Sequence, residues 1–318
     1  MIAMSEFLTQ AGWPDASLHQ IAGDASARQY HRVTRGAETA ILMIDPSGGI
    51  PGFVRVTHTL RALGLAAPAI LHEAPGYLLT QDLGDALFAM LCAQDPTREP
   101  ALYDAATDVL VALHKAKPPE YLPRATPDFL SKAITLAFEF YHADPALSAE
   151  TQILFHKALT RLANSTGVII LRDYHAENLL WQSGKSGVQA AGLIDYQDAL
   201  AGHPAYDLAS LCTDARRDLG AGIADRCIAR YLAATGTDPE AFHAAFAVLA
   251  AQRNLRILGI FARLALRDGK TKYLSLVPRV WQHLMTSLNH PDLRDLHELL
   301  APRLTAPENH PLLQKALT

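Results

Sequence analysis

The sequence predicts an α+β chain of two lobes, a small β-rich lobe over residues 1–83 and a larger helical lobe over 84–318. Two observations carry that expectation. Up to residue 83 the apolar residues sit in short runs broken by Gly and Pro, as in small sheets. From Asp85 onward they recur at helical spacing through alanine- and leucine-rich stretches, interrupted once by a β-like island. With 49% hydrophobic residues in 318, there is enough apolar side chain for a sizeable core.

The elements follow in order. Met1 to Gln10 has no Lys or Arg and no long apolar run, which fits neither a signal peptide nor a membrane helix. Residues 29–34 and 39–44 flank the turn-like Arg35-Gly36-Ala37 and read as a hairpin. After the loop Gly48-Gly49-Ile50-Pro51-Gly52, residues 53–63 have helical spacing, and 69–72 and 77–81 read as strands split by Pro75-Gly76. Helical stretches are expected at 85–93, 100–116, 127–141 and 147–164. The β-like island covers 168–171, 179–182 and 188–194, and helices resume at 205–212, 239–266 and 273–288. The apolar run 248–260 is interrupted by Gln252, Arg253, Asn254 and Arg256, so it reads as a core helix and no membrane partner is expected.

Charge narrows the function classes. The net charge is −4 and no basic stripe is present, so a nucleic-acid partner is not expected. Cys92, Cys212 and Cys227 are far apart and form no C-x-x-C, as for thiols in a reducing, cytoplasmic setting. Gly48-Gly49-x-x-Gly52 lacks the Lys of a phosphate loop and reads as a linker.

The chemistry sits in the island. Leu171-Arg172-Asp173-Tyr174-His175-Ala176-Glu177-Asn178 is followed by Ile194-Asp195, so an Asp and an Asn five positions on precede a second Asp leaving an apolar strand. Phosphoryl transfer needs these residue types. One carboxylate orients the attacking hydroxyl, while an Asn and a second carboxylate hold magnesium against the phosphates. Magnesium prefers few protein ligands, all oxygen, and keeps several waters.

Arg172-Asp173-x-His175-x-x-Asn178, then Ile194-Asp195 and Tyr206-Asp207-Leu208-Ala209, resembles the aminoglycoside phosphotransferase and choline kinase superfamily. The resemblance implies a bilobal protein-kinase-like fold using ATP and Mg2+. It implies Asp173 as catalytic carboxylate, Asn178 and Asp195 as metal ligands, and His175 and Asp207 as structural support. Gly23-Asp24-Ala25-Ser26-x-Arg28-x-Tyr30-x-Arg32-Val33 is similar to the nucleotide-covering loop of bacterial kinases for N-acetylmuramate and N-acetylglucosamine, acting on the anomeric hydroxyl in cell-wall recycling. Leu42-Met43-Ile44-Asp45-Pro46, Gln81-Asp82-Leu83-Gly84 and Gln252-Arg253-Asn254-Leu255 extend that likeness along the chain. The partner it implies is a small amino sugar, with a sugar-1-phosphate nucleotidyltransferase downstream.

Two departures from the superfamily stand out. Leu171 replaces a histidine ahead of the catalytic loop, and the strand expected to carry an ATP-binding lysine reads Ala40-Ile41-Leu42-Met43-Ile44. Arg28 or Arg32 is nominated for the missing cation. Ser26 and the hinge residues Gln81 and Leu83 complete the nucleotide contacts. Arg253 and Arg256, at i and i+3 of one helix, are candidates for a substrate carboxylate, with an internal ion pair as the alternative. Two rival functions remain at this level: phosphorylation of aminoglycosides or another small alcohol, and nucleotide binding without turnover. The arginines after Asp218 speak against a polycationic acceptor.

Overall fold

The hairpin expected at 29–44 forms, and it becomes the centre of a five-stranded antiparallel sheet. The structure is a computed structural model and describes residues 2–21 and 28–316. In chain order the first elements are α1 (Met4–Gln10), β1 (Ser17–Ile21), β2 (Gln29–Arg35), β3 (Glu38–Ile44), α2 (Ile50–Ala62), β4 (Ile70–Ala74), β5 (Tyr77–Gln81), α3 (Phe88–Gln94) and α4 (Glu99–Leu113). Next come α5 (Pro127–Ala133), α6 (Pro145–Leu162), β6 (Val168–Ile170), β7 (Leu179–Trp181), β8 (Ala191–Leu193), β9 (Leu200–Gly202) and α7 (Ala205–Cys212). The chain then runs through α8 (Ile223–Thr235), α9 (Pro239–Leu266), α10 (Val277–Leu288), α11 (Arg294–Leu300) and α12 (Pro311–Ala316). They fall into two compact units, Met1–Leu113 with Glu177–Asp198, and His114–Ala176 with Ala199–Thr318.

In the first unit the sheet order is β1-β2-β3-β5-β4. Period-two alternation puts Val33, Ala40, Leu42 and Leu79 on one face, where they pack with Phe7, Leu8 and Trp13 from α1 and the turn after it. Phe7 stacks on Tyr77 with ring centroids 5.1 Å apart. Neither α1 nor β1 was expected. Four of the five β1 residues are exposed, so this edge strand carries no alternation to read. The β7–β8 hairpin joins the same unit: Ala66 bridges Gly192, Leu87 bridges Leu180, and Phe88 packs against Trp181.

The second unit is helical, with a two-stranded ribbon of β6 and β9. The island thus splits, β6 pairing with β9 and β7 with β8, through strands of three residues each. Such short strands are set by their partners and not by a sequence period. Helix α5 stops at Ala133, and the stretch expected to continue it closes as a π-helical turn over Ala137–Tyr141. Helix α9 is long and apolar enough to cross a membrane by length and composition, yet 83% of that window is buried in the protein. It is the core helix of this unit.

Gly259 shows how tightly α9 packs. A Cβ there would fall on the main chain of Leu136 and Ala137, and backbone cannot swing aside as a side chain can. Gly259→Ala is therefore expected to destabilise the protein by about 1–3 kcal/mol through overpacking. A fall in the thermal midpoint checks this, and an unchanged midpoint would contradict the close approach.

Candidate active site

In the first unit the residues expected to hold nucleotide and metal lie at or near the ends of strands. Asn178 closes the 3-10 turn Ala176–Asn178 just before β7, and Asp195 follows β8 by two residues. The Ile194 amide donates to the Asn178 carbonyl at 3.1 Å, so hairpin pairing carries on past the strands and fixes the two candidate ligands as neighbours. Tyr196 anchors the same segment on α2, its hydroxyl 2.8 Å from Thr57 Oγ1 and its ring stacked on Phe53 at 5.0 Å. With Tyr196 buried, Asp195 is left exposed at φ 58°, in the left-handed region that non-glycine residues seldom occupy. Gln197 Nε2 donates to Asp195 Oδ1 at 2.9 Å. An amide and a carboxylate, both hard oxygen donors and one of them exposed, fit magnesium.

The two nominated arginines have different surroundings. Arg28 Nε donates to Asp45 Oδ2 at 2.9 Å, and Asp45, buried at the end of β3, also accepts from the Ser47 amide at 2.8 Å. Burial pulls the Arg28 guanidinium down, but Asp45, Tyr30 and Asp198 outweigh it and hold it above its ordinary value. Arg32 is gripped from two sides. Its Nε and Nη2 meet Asp82 at 2.6 and 3.2 Å, and its Nη1 and Nη2 meet Asp85 at 2.9 and 2.7 Å. Asp82 in turn accepts from the Gly84 amide at 2.9 Å, where φ is 84°. Gln81 is exposed and exchanges hydrogen bonds with Ala69, and the Leu83 carbonyl accepts from Gln182 Nε2 at 3.0 Å. Ser26 lies outside the described residues.

The second unit holds the loop that carries Asp173. Asp207, fully buried in the first turn of α7, accepts from the Leu171 amide at 2.6 Å and from the Arg172 amide at 2.9 Å. Arg172 takes φ 71°, unusual for a long side chain, and the two bonds hold this strained turn immediately before Asp173. The Asp173 amide returns to the Leu171 carbonyl at 2.9 Å. Leu171, where the superfamily has a histidine, is buried and contributes its main chain to this network. Burial pushes the Asp207 carboxyl up to about 7, against the pull of the two amides and of Arg253.

His175 is buried, and burial lowers it to about 4. Arg216 Nη1 donates to its Nε2 at 3.4 Å, which suits a neutral ring. Arg253, 5% exposed on α9, is held below its ordinary value by burial, while the charges of Asp173 and Asp214 pull it back up. Arg256, one turn on, is half-buried. The acids whose charge bears on Arg253 are thus Asp173 and Asp214, which lie outside its own helix. Asp214 and Arg216, which follow α7, are functional candidates that sequence reasoning missed. Nothing in Thr213-Asp214-Ala215-Arg216 distinguishes them from a solvated turn until the fold buries Asp214 and brings Arg216 to His175.

Two outcomes follow from this electrostatics. Asp207→Asn leaves one backbone amide facing an amide nitrogen, and losing a charged hydrogen bond costs about 1.5–3 kcal/mol. The thermal midpoint and kcat are expected to fall together, and full activity in this variant would show that the loop is held by other means. The second outcome concerns pH. His175 and His203 sit at about 4 and His114 at about 3, all lowered chiefly by burial. The unfolded chain therefore takes up protons below about 6.5 that the folded histidines refuse until about 4. Each histidine removes about 1.4 kcal/mol of stability per pH unit across that window. Asp207, raised to about 7, works in the opposite sense and offsets one of them. Stability should fall as pH drops from 6.5 to 4, measured by denaturant unfolding. His203→Asn, which keeps an acceptor for the Ala205 amide that His203 Nδ1 now serves at 3.1 Å, should flatten the slope.

Comparison with known proteins agrees with this architecture. Residues 17–245 match the phosphotransferase enzyme family. An N-acetylmuramate/N-acetylglucosamine kinase of Caulobacter vibrioides is 35% identical, over 92% of this chain and 94% of the relative. A protein of the same name from Pseudomonas aeruginosa is 31% identical, over 94% of this chain and 93% of the relative. Among solved structures, an ADP-bound aminoglycoside phosphotransferase superposes with a TM-score of 0.63 at 12% identity, covering 89% of this chain and 98% of that one. A choline kinase of Streptococcus pneumoniae gives 0.62 at 14% identity, covering 87% of this chain and 96% of that one. At such identities the superpositions speak for the fold alone, and that fold is the protein-kinase-like one expected. With the match spanning most of the chain, this protein belongs to the phosphotransferase enzyme family, which includes the aminoglycoside phosphotransferases.

Proposed function

We propose that this protein is an ATP-dependent kinase that phosphorylates the anomeric hydroxyl of N-acetylmuramate or N-acetylglucosamine. The observation that carries the reading is the reach of its likeness to the two amino-sugar kinases. That likeness covers 92% and 94% of the chain, and so extends past the family match that ends at residue 245. It takes in the helix that bears Arg253 and Arg256, in the unit that also holds Asp173.

Asp173 orients the acceptor hydroxyl and takes its proton at a carboxylate oxygen as the new O–P bond forms and the bond from the γ-phosphorus to ADP breaks. Asp207 keeps the preceding turn in place, and neutral His175 packs behind it. Asn178 and Asp195 would hold magnesium, which when bound would supply positive charge to the phosphates of ATP. Of the two arginines, Arg28 is assigned the phosphate-facing role of the missing lysine, because both edges of the Arg32 fork are taken by Asp82 and Asp85. Arg32 then braces the hinge expected at 81–84, where Gln81 and Leu83 offer main-chain groups to the adenine. Ser26 belongs to the loop covering the nucleotide, and Arg253 and Arg256 face the acceptor. The reaction suits a cytoplasmic enzyme whose sugar 1-phosphate passes to a nucleotidyltransferase.

The test is ADP release with Mg-ATP against N-acetylmuramate, N-acetylglucosamine, kanamycin, choline and homoserine. Turnover is expected on the amino sugars, with kcat reduced about 100- to 10,000-fold in Asp173→Asn. Turnover confined to kanamycin or choline would replace the acceptor. Silence on every compound with ATP still bound would favour a nucleotide-binding module.

A further inference from the structure

The turn after α7 contains a buried carboxylate oxygen that the protein leaves unsatisfied. Asp214 is 2% exposed. Its Oδ1 accepts from the Arg216 amide at 2.9 Å, while its Oδ2 is buried and has no hydrogen-bond partner. A buried carboxylate oxygen without a donor is costly, and native proteins keep few of them.

The turn is too firmly held for this to be slack. Arg279 of α10 donates to the Ala215 carbonyl at 3.1 Å and pairs with Asp218 at 2.6 Å. Asn254 of α9 donates to Thr213 Oγ1 at 3.2 Å, which ties the residue before Asp214 to the residue after Arg253. Arg216 reaches back to His175, two residues from Asp173. The charges of Asp214 and Asp173 both bear on His175 and on Arg253, so the unsatisfied oxygen shares its surroundings with the catalytic carboxylate.

We infer that Asp214 is a specificity-determining residue whose Oδ2 accepts a hydrogen bond from a hydroxyl or acetamido N–H of the acceptor sugar. The inference rests on the kinase reading above. A rigid acceptor beside the reacting group suits a sugar rich in hydroxyl and N–H donors, and it fixes which hydroxyl meets Asp173.

Asp214→Asn keeps the oxygen that serves Arg216 and turns the other into a donor. Asp214→Ser keeps the turn bond and removes Oδ2 altogether. Each is assayed with N-acetylglucosamine, glucose, and the 3-, 4- and 6-deoxy analogues of N-acetylglucosamine. Both variants are expected to raise the acceptor KM about 10- to 100-fold. The KM for ATP and the thermal midpoint of the serine variant should stay near those of the wild type. One analogue that the unmodified enzyme handles poorly should lose nothing more in the variants, which identifies the donor. An unchanged acceptor KM, or equal losses across all analogues, would overturn the assignment while leaving the kinase reading intact. If the unmodified enzyme turns over no amino sugar, both fall.

Discussion

A single buried carboxylate sets the geometry of the loop that carries Asp173. Asp207 takes the amides of Leu171 and Arg172 on its two oxygens, and so holds a turn whose second residue has a left-handed backbone. An unsatisfied pair of amides at this depth would be as costly as the strain they restrain. The carboxylate is costly to bury in its turn, and the nearby guanidinium of Arg253 relieves part of that cost. Position, charge and strain are thus coupled, and Asp173 is placed as a consequence.

The first unit solves a similar problem with ion pairs. With no lysine on β3, the arginines here stand on β2 and just before it, and their acids at the ends of neighbouring segments. Arg28 meets Asp45, and Arg32 bridges Asp82 and Asp85. Both arginines lie partly out of solvent, where a planar fork against carboxylates, one for Arg28 and two for Arg32, is held in one orientation more firmly than an ammonium would be. The candidate metal ligand Asp195 depends on packing instead: Tyr196 goes into the core against Phe53 and Thr57, and Asp195, one residue earlier, is turned outward.

Much of this was legible from residue order. The hairpin at 29–44, helix α9 and the Asp173, Asn178, Asp195 and Asp207 series all stand out, because hairpins, long apolar helices and loop acids leave local patterns. Edge strand β1 and the three-residue strand β9 did not, since one is exposed and the other too short to show a period. The stretch 127–141 read as one helix, but α9 approaches so closely at Gly259 that the chain there follows a different course.

Taken alone, the sequence determined the fold class, the family and the residue types at the catalytic loop, because these rest on local spacing and on side chains whose chemistry has few substitutes. Tertiary structure decided which groups face one another. It gave Arg32 to Asp82 and Asp85 and paired β6 with β9, and it put Arg253 of a distant helix within the influence of the charges of Asp173 and Asp214. It also buried Asp214, an acid that in sequence looks like any other turn residue. Desolvation and hydrogen-bond partnership are properties of neighbours far apart along the chain, so they arise only when the core closes.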